Sequence, residues 1–211
     1  MGKAYIFDMD GTIADSMGYF DKALTRILDE EDIDYPEDIL SIAAALGNDK
    51  VIELLSKLGV KGSYEEIGRK ISDGMIKIYS ECVKLKPFAY DYLKKLKNEG
   101  KHLYMLTASP HITADIFLKN NLVYDLFDKV WSADDFEGLT KDEDKIYKVL
   151  CESIGLEPRD IEFYDDNIFA LKAAKSAGFC TVGVYDSYNR TPEYEIRKIC
   201  DKYITSFEEL M

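Results

Sequence analysis

A chain of 211 residues, 46% of them apolar, can bury one substantial core with room for an insertion, but not two large independent domains. Its 27 Lys and Arg stand against 40 Asp and Glu, a formal charge of −13, and a field of that sign repels nucleic acid and anionic membrane alike. It also repels a phosphorylated small molecule at long range, so any site for one must bring its own positive charge, as a metal or a lysine.

Ala4 to Phe7 is a short apolar, β-rich run that breaks at Asp8-Met9-Asp10-Gly11-Thr12, the pattern of a buried strand ending in a loop. Stopped by two aspartates, it reads as neither signal peptide nor membrane span; no later run approaches the ~20 apolar residues of a span, and a cytoplasmic protein is expected. From 15 to 83 the spacing becomes helical, in Phe20, Leu24, Ile27 and Leu28, then Val51, Leu54, Leu55 and Leu58, then Ile67, Ile71, Met75 and Ile78, with no strand. After Pro87 a helix from Tyr90 to Asn98 leads to the strand His102 to Thr107. Strand and helix then alternate: helix Ile112 to Asn120, strand Lys129 to Trp131, helix Glu143 to Ser153, strand Ile161 to Tyr164, helix Ile168 to Ala177, strand Cys180 to Val184. That alternation predicts an α/β fold, a parallel Rossmann-like sheet with helices on both faces and a helical insertion after the first strand.

In such sheets ligands bind beyond the carboxyl ends of the strands. Those ends carry Asp8 and Asp10, then Thr107, Ala108 and Ser109, then the loop with Lys141, then Asp165 and Asp166. Acids gathered so densely in a partly dry site repel by several kcal/mol unless a cation joins them. Mg²⁺, which takes oxygen ligands and a few carboxylates, suits Asp8, Asp165 and Asp166; Asp10 completes the candidate ligand set. Cys82, Cys151, Cys180 and Cys200 show no C-x-x-C spacing and only His102 and His111 could join them, so reduced thiols and no zinc are expected.

The residues Phe7-Asp8-Met9-Asp10-Gly11-Thr12, Leu106-Thr107-Ala108-Ser109, Lys141 and Tyr164-Asp165-Asp166-Asn167 resemble, in order and spacing, the motifs of the haloacid dehalogenase-like hydrolase superfamily. Its phosphatase branch carries D-x-D-G-T, a Ser or Thr, a Lys and an acidic pair, and the resemblance covers essentially the whole chain. It implies a HAD-like core of residues 1–14 and 84–211 and a small helical cap, 15–83, similar to that of the phosphoglycolate phosphatase and β-phosphoglucomutase subgroup. It implies further that Asp8 attacks phosphorus to form an aspartyl-phosphate and that Asp10 protonates the leaving oxygen and then activates water. Met9, Thr107, Ala108, Ser109 and Lys141 would bind the phosphoryl group opposite Mg²⁺. Lys145 rivals Lys141, but the spacing to Asp166 favours Lys141, although the K-P dipeptide of the relatives is Lys141-Asp142 here. In the cap, Gly47-Asn48-Asp49-Lys50 reads as a loop where relatives present substrate contacts, with Lys50 a candidate for a second anionic group.

The resemblance also narrows the reaction. Dehalogenases of this fold and phosphonate-cleaving relatives are not expected to keep Asp10, and the sugar-phosphate mutase branch carries a histidine where this chain has Phe20. Hydrolysis of a small phosphorylated metabolite by a monomer is the expectation; a mutase or a non-catalytic phosphate-ligand module are the alternatives. Ser109-Pro110 either serves the site or only starts the next helix, leaving His111 exposed in its first turn.

Overall fold

A computed structural model describes residues 3–44, 48–136 and 138–211. It divides into two compact units, Met1–Ser16 with Lys84–Met211, and Met17–Val83. In chain order, β1 (Ala4–Phe7) is followed by α1 (Met17–Glu30), α2 (Ile39–Ala44), α3 (Asn48–Leu58) and α4 (Tyr64–Glu81). The chain goes on through α5 (Ala89–Asn98), β2 (His102–Leu106), α6 (His111–Asn120), β3 (Lys129–Trp131), α7 (Asp144–Ile154), β4 (Ile161–Asp165), α8 (Ile168–Ser176), β5 (Cys180–Val184), α9 (Glu193–Ile199) and β6 (Lys202–Ile204).

The strands of the larger unit form one parallel sheet in the order β3-β2-β1-β4-β5-β6. Parallel strands need crossovers, and crossover helices cover both faces, which is why β1 is apolar and buried at every position rather than alternating. Ala4 and Ile6 point into a cluster with Phe163, Tyr147, Leu171 and Ala174. On the opposite face Phe7 stacks on Tyr164 with ring centroids 4.5 Å apart and meets Tyr92 of α5 edge-on. The Tyr92 and Tyr164 hydroxyls, 2.8 Å apart, satisfy each other in that core.

The smaller unit has no strand among its described residues. Its apolar stripes at helical spacing converge on Leu24, Leu28, Ile39, Leu55, Val60 and Ile67, and α4 packs on α1 and α3. A capping box opens α4: Ser63 accepts from the Glu66 N–H, and the Glu66 carboxylate accepts from the Ser63 N–H. The expected loop at 47–50 is corrected in part: Gly47 lies outside the described residues, while Asn48 to Lys50 form the first turn of α3. Polar residues of this kind mark helix starts as readily as loops, so composition alone misplaces the boundary.

The sequence patterns stop short at the carboxyl end, where α9, β6 and a final 3₁₀ turn, Phe207–Leu210, extend the fold. β6, Lys-Tyr-Ile, is too short to show a period of its own and exists because Gly183 and its neighbours on β5 offer it an edge. No helix among the described residues is long and apolar enough to cross a membrane.

Candidate active site

The strand order reverses at β1, which has β2 on one side and β4 on the other, and this switch point is where an open parallel sheet leaves a crevice. Asp8 follows β1 directly, its N–H donating to the Tyr164 carbonyl at 2.9 Å as though the strand ran one residue further. The chain then folds back on itself: the N–H groups of Thr12, Ile13 and Ala14 all donate to the Met9 carbonyl, and the Met9 side chain is buried. Gly11 makes this turn possible, with φ at +77° and so little room that a Cβ would lie 2.7 Å from Asp166 Oδ2.

Facing this turn, β4 delivers Asp165 and Asp166, both buried. Asp165 Oδ1 accepts the Asn167 N–H at 2.8 Å in an Asx turn, and Asn167 then caps α8, its Oδ1 accepting the Phe169 N–H at 2.8 Å. Lys141, from the loop before α7, places its ammonium 2.5 Å from Asp8 Oδ1 and 2.8 Å from Asp165 Oδ2. Asp8, Asp165 and Asp166 each offer a carboxylate oxygen, all within 4.8 Å of one another.

The electrostatics follow from burial. It pushes the Asp166 carboxyl well up from its usual range, and the neighbouring charges of Asp165 and Asp8 add to the push. Burial likewise raises Asp165, which Lys141 pulls back only in part. For Lys141 burial acts against the ammonium, but Asp165 and Asp8 outweigh it and hold the group above the ordinary lysine range. Lys141 pairs with only two of these three buried carboxylates, and their donors are all hard oxygens. A small divalent cation such as Mg²⁺ fits that donor set; a thiophilic metal does not.

Asp10, expected in the ligand set, is not among the three carboxylates that lie within 4.8 Å of one another. Its Oδ1 accepts the Ser16 hydroxyl at 2.7 Å and its Oδ2 the Ser109 hydroxyl at 2.6 Å. Ser109 in turn donates its N–H to Thr107 Oγ1 at 3.0 Å, and Thr107 is buried at the end of β2, while Ala108 between them is exposed. The Ser109 hydroxyl, expected on phosphate, is thus engaged with Asp10. Lys50 is exposed on α3 and Lys145 exposed on α7, so Lys141, not Lys145, is the lysine that meets Asp8. His111 is half-buried and pairs with Asp135 at 2.9 Å, and Pro110 precedes the first turn of α6.

Several participants carry no motif of their own. Ser132, buried, donates its hydroxyl to the Ser109 carbonyl at 2.9 Å. Asn189 donates to the Asp166 carbonyl at 2.6 Å, and Lys86 binds the carbonyls of Gly11 and Tyr185 and lies 2.9 Å from Asp186 Oδ2. Asn189 and Asp186 follow β5, so inspecting that strand end as closely as the others would have found them. Lys86 has no such signal because its partners are distant in sequence, and Ser16, though six residues from Asp10, belongs to no pattern that marks it.

The model of the haloacid dehalogenase-like hydrolases matches residues 5–184. The chain is 26% identical over 189 residues to a phosphorylated carbohydrates phosphatase of Thermotoga maritima, covering 89% of this chain and 87% of that one. It is 24% identical over 218 residues to (S)-2-haloacid dehalogenase 4A of Burkholderia cepacia, covering 99% and 93%. Among solved structures, a candidate β-phosphoglucomutase from Thermotoga maritima aligns with a TM-score of 0.84 at 24% identity, over 97% of this chain and 94% of that one, a likeness of fold.

Proposed function

This chain belongs to the haloacid dehalogenase-like hydrolases, and from that premise we propose that it is a Mg²⁺-dependent phosphatase acting on a small phosphomonoester through an aspartyl-phosphate on Asp8. The observation that carries this reading is the division of labour among the carboxylates. Asp8 shares Lys141 with Asp165 inside the metal-fitting trio, whereas Asp10, two residues on, is held separately by two hydroxyls. Asp10 also argues against dehalogenation, which has no leaving oxygen to protonate.

Asp8, Asp165 and Asp166 would hold Mg²⁺, which when bound supplies the positive charge that lets a carboxylate and a phosphoryl group approach one another. Lys141 occupies one oxygen of Asp8 and leaves the other to attack phosphorus. As that O–P bond forms and the ester P–O bond breaks, Asp10 gives its proton to the leaving oxygen. In the second displacement Asp10 takes a proton from water, the water oxygen bonds to phosphorus, and Asp8 leaves as carboxylate. Thr107 Oγ1 accepts from the Ser109 N–H, which leaves the Thr107 hydroxyl proton for a phosphoryl oxygen, with the main chain at Met9 and Ala108 as further donors. In this reading the helical unit, residues 17–83, serves as a cap that selects substrate, and Lys50 is the candidate for a second anionic group.

The test is phosphate release from a panel of sugar phosphates, phosphoglycolate and nucleoside monophosphates, with and without Mg²⁺. Release that requires Mg²⁺ and falls on the order of 10³-fold or more in Asp8→Asn is the expected result. Release indifferent to Asp8, or silence across the panel, overturns the proposal.

A further inference from the structure

Lys141 has to bring a flexible four-carbon side chain to one oxygen of Asp8, yet it lies in a loop rather than in a helix or strand. Locally the loop is held by its own polar residues and by Leu139, which packs against the core: the Thr140 N–H donates to Glu143 Oε1 at 3.1 Å and the Glu143 N–H to the Thr140 carbonyl at 3.0 Å. At Lys141 itself the hydrogen bond to the core comes from Tyr147. Its hydroxyl lies 2.7 Å from the Lys141 carbonyl and 3.0 Å from the Ala170 carbonyl of α8, so a single phenolic proton is shared between two acceptors.

The ring that carries this hydroxyl is immobilised. Tyr147 is fully buried, edge-on to Phe163 and to Phe179 with centroids 5.4 Å away in each case. Phe163 lies two residues before Asp165 on β4, and α8 begins three residues after it. One hydroxyl therefore joins the loop that carries the cation to the helix that grows from the acidic pair.

We propose that Tyr147 is a positioning residue for Lys141, its hydroxyl fixing the lysine main chain so that the ammonium meets Asp8 and Asp165 together. The inference rests on Lys141 serving Asp8 as proposed above. A Phe at this position keeps the ring and its packing and removes only the hydroxyl, so its effect isolates the bridge.

The experiment compares the full chain, Tyr147→Phe, Lys141→Met and the double variant with Mg²⁺ and para-nitrophenyl phosphate, reading kcat, KM and thermal midpoint. One net hydrogen bond of about 1–1.5 kcal/mol corresponds to a fall in kcat of roughly tenfold in Tyr147→Phe, with KM changed less than about twofold. In the Lys141→Met background, read with excess enzyme, the same substitution has no further effect, because the group it positions is gone. Unchanged kcat in Tyr147→Phe, a fall that merely tracks a lowered midpoint, or an undiminished further fall in the double variant overturns the inference. Full activity in Lys141→Met overturns instead the reading of Lys141 on which it rests.

Discussion

Gly11 shows how narrowly the catalytic turn is specified. Its φ of +77° is costly for any residue with a side chain, and its Cα faces the Asp166 carboxylate across a gap that a methyl group would close to 2.7 Å. Gly11→Ala is expected to lower stability by about 1–3 kcal/mol in urea titration and, by displacing Asp166, to weaken Mg²⁺ binding measured by calorimetry. Unchanged Mg²⁺ affinity would mean that Asp166 is not held by this turn. Asp8, Asp10, Thr107, Lys141, Asp165 and Asp166 are all legible along the chain, since each ends an apolar run or sits at a recognisable spacing. What they touch is not: that Ser109 donates to Asp10, or that Lys86 grips the Gly11 carbonyl, depends on residues roughly 75–100 positions apart meeting in space.

The strands from β1 to β5 are readable along the chain, the short edge strand β3 among them, and the last strand is not. Hydrophobic run and period mark β1, β2, β4 and β5, whereas β6 is three residues carrying a lysine and is held by its neighbour rather than by its composition. A side chain in the turn before β6 contributes as much: Asp201 accepts the Thr181 N–H at 2.9 Å and hydroxyl at 3.0 Å and pairs with Lys175 at 2.8 Å. Burial nudges its carboxyl upward, but the bonds from Lys175 and Thr181 outweigh this and hold it below its usual value. A carboxyl depressed in the folded state contributes stability that is present above the unfolded value of about 3.9 and lost as pH falls through the folded value. Asp201→Asn is accordingly expected to cost roughly 0.5–1 kcal/mol at pH 7, the pair being half-exposed and screened, and progressively less below about pH 4. Urea midpoints of both proteins across that range check it; a pH-independent difference would assign the loss to shape rather than charge.

At the sheet edge three buried carboxylates gather, two of them paired with Lys141, on a chain whose formal charge is already −13. A cation that binds the folded state alone stabilises it by mass action, about 2.7 kcal/mol at a hundred times its dissociation constant. Scanning calorimetry is expected to show the midpoint of the larger unit rising by roughly 5–10 °C in saturating Mg²⁺ over EDTA, and Asp166→Asn to lose most of that rise. An equal rise in the variant would place the cation elsewhere.

Fold class, the helical insertion and the identity of the acidic and basic groups at the strand ends were present in the amino-acid order alone, because each depends on neighbours within a few residues: a run of apolar side chains, a 3.6-residue period, an aspartate where a strand must stop. The contact of Lys141 with both Asp8 and Asp165, the separation of Asp10 from the metal-fitting trio, and the parts taken by Ser16, Lys86, Tyr147 and Asn189 came from the folded chain. The pairing of β1 with β4 and the crossovers that bring residues 8, 86, 141, 165 and 189 to one edge are set by the packing of whole elements, and no local pattern encodes which distant side chain will face which.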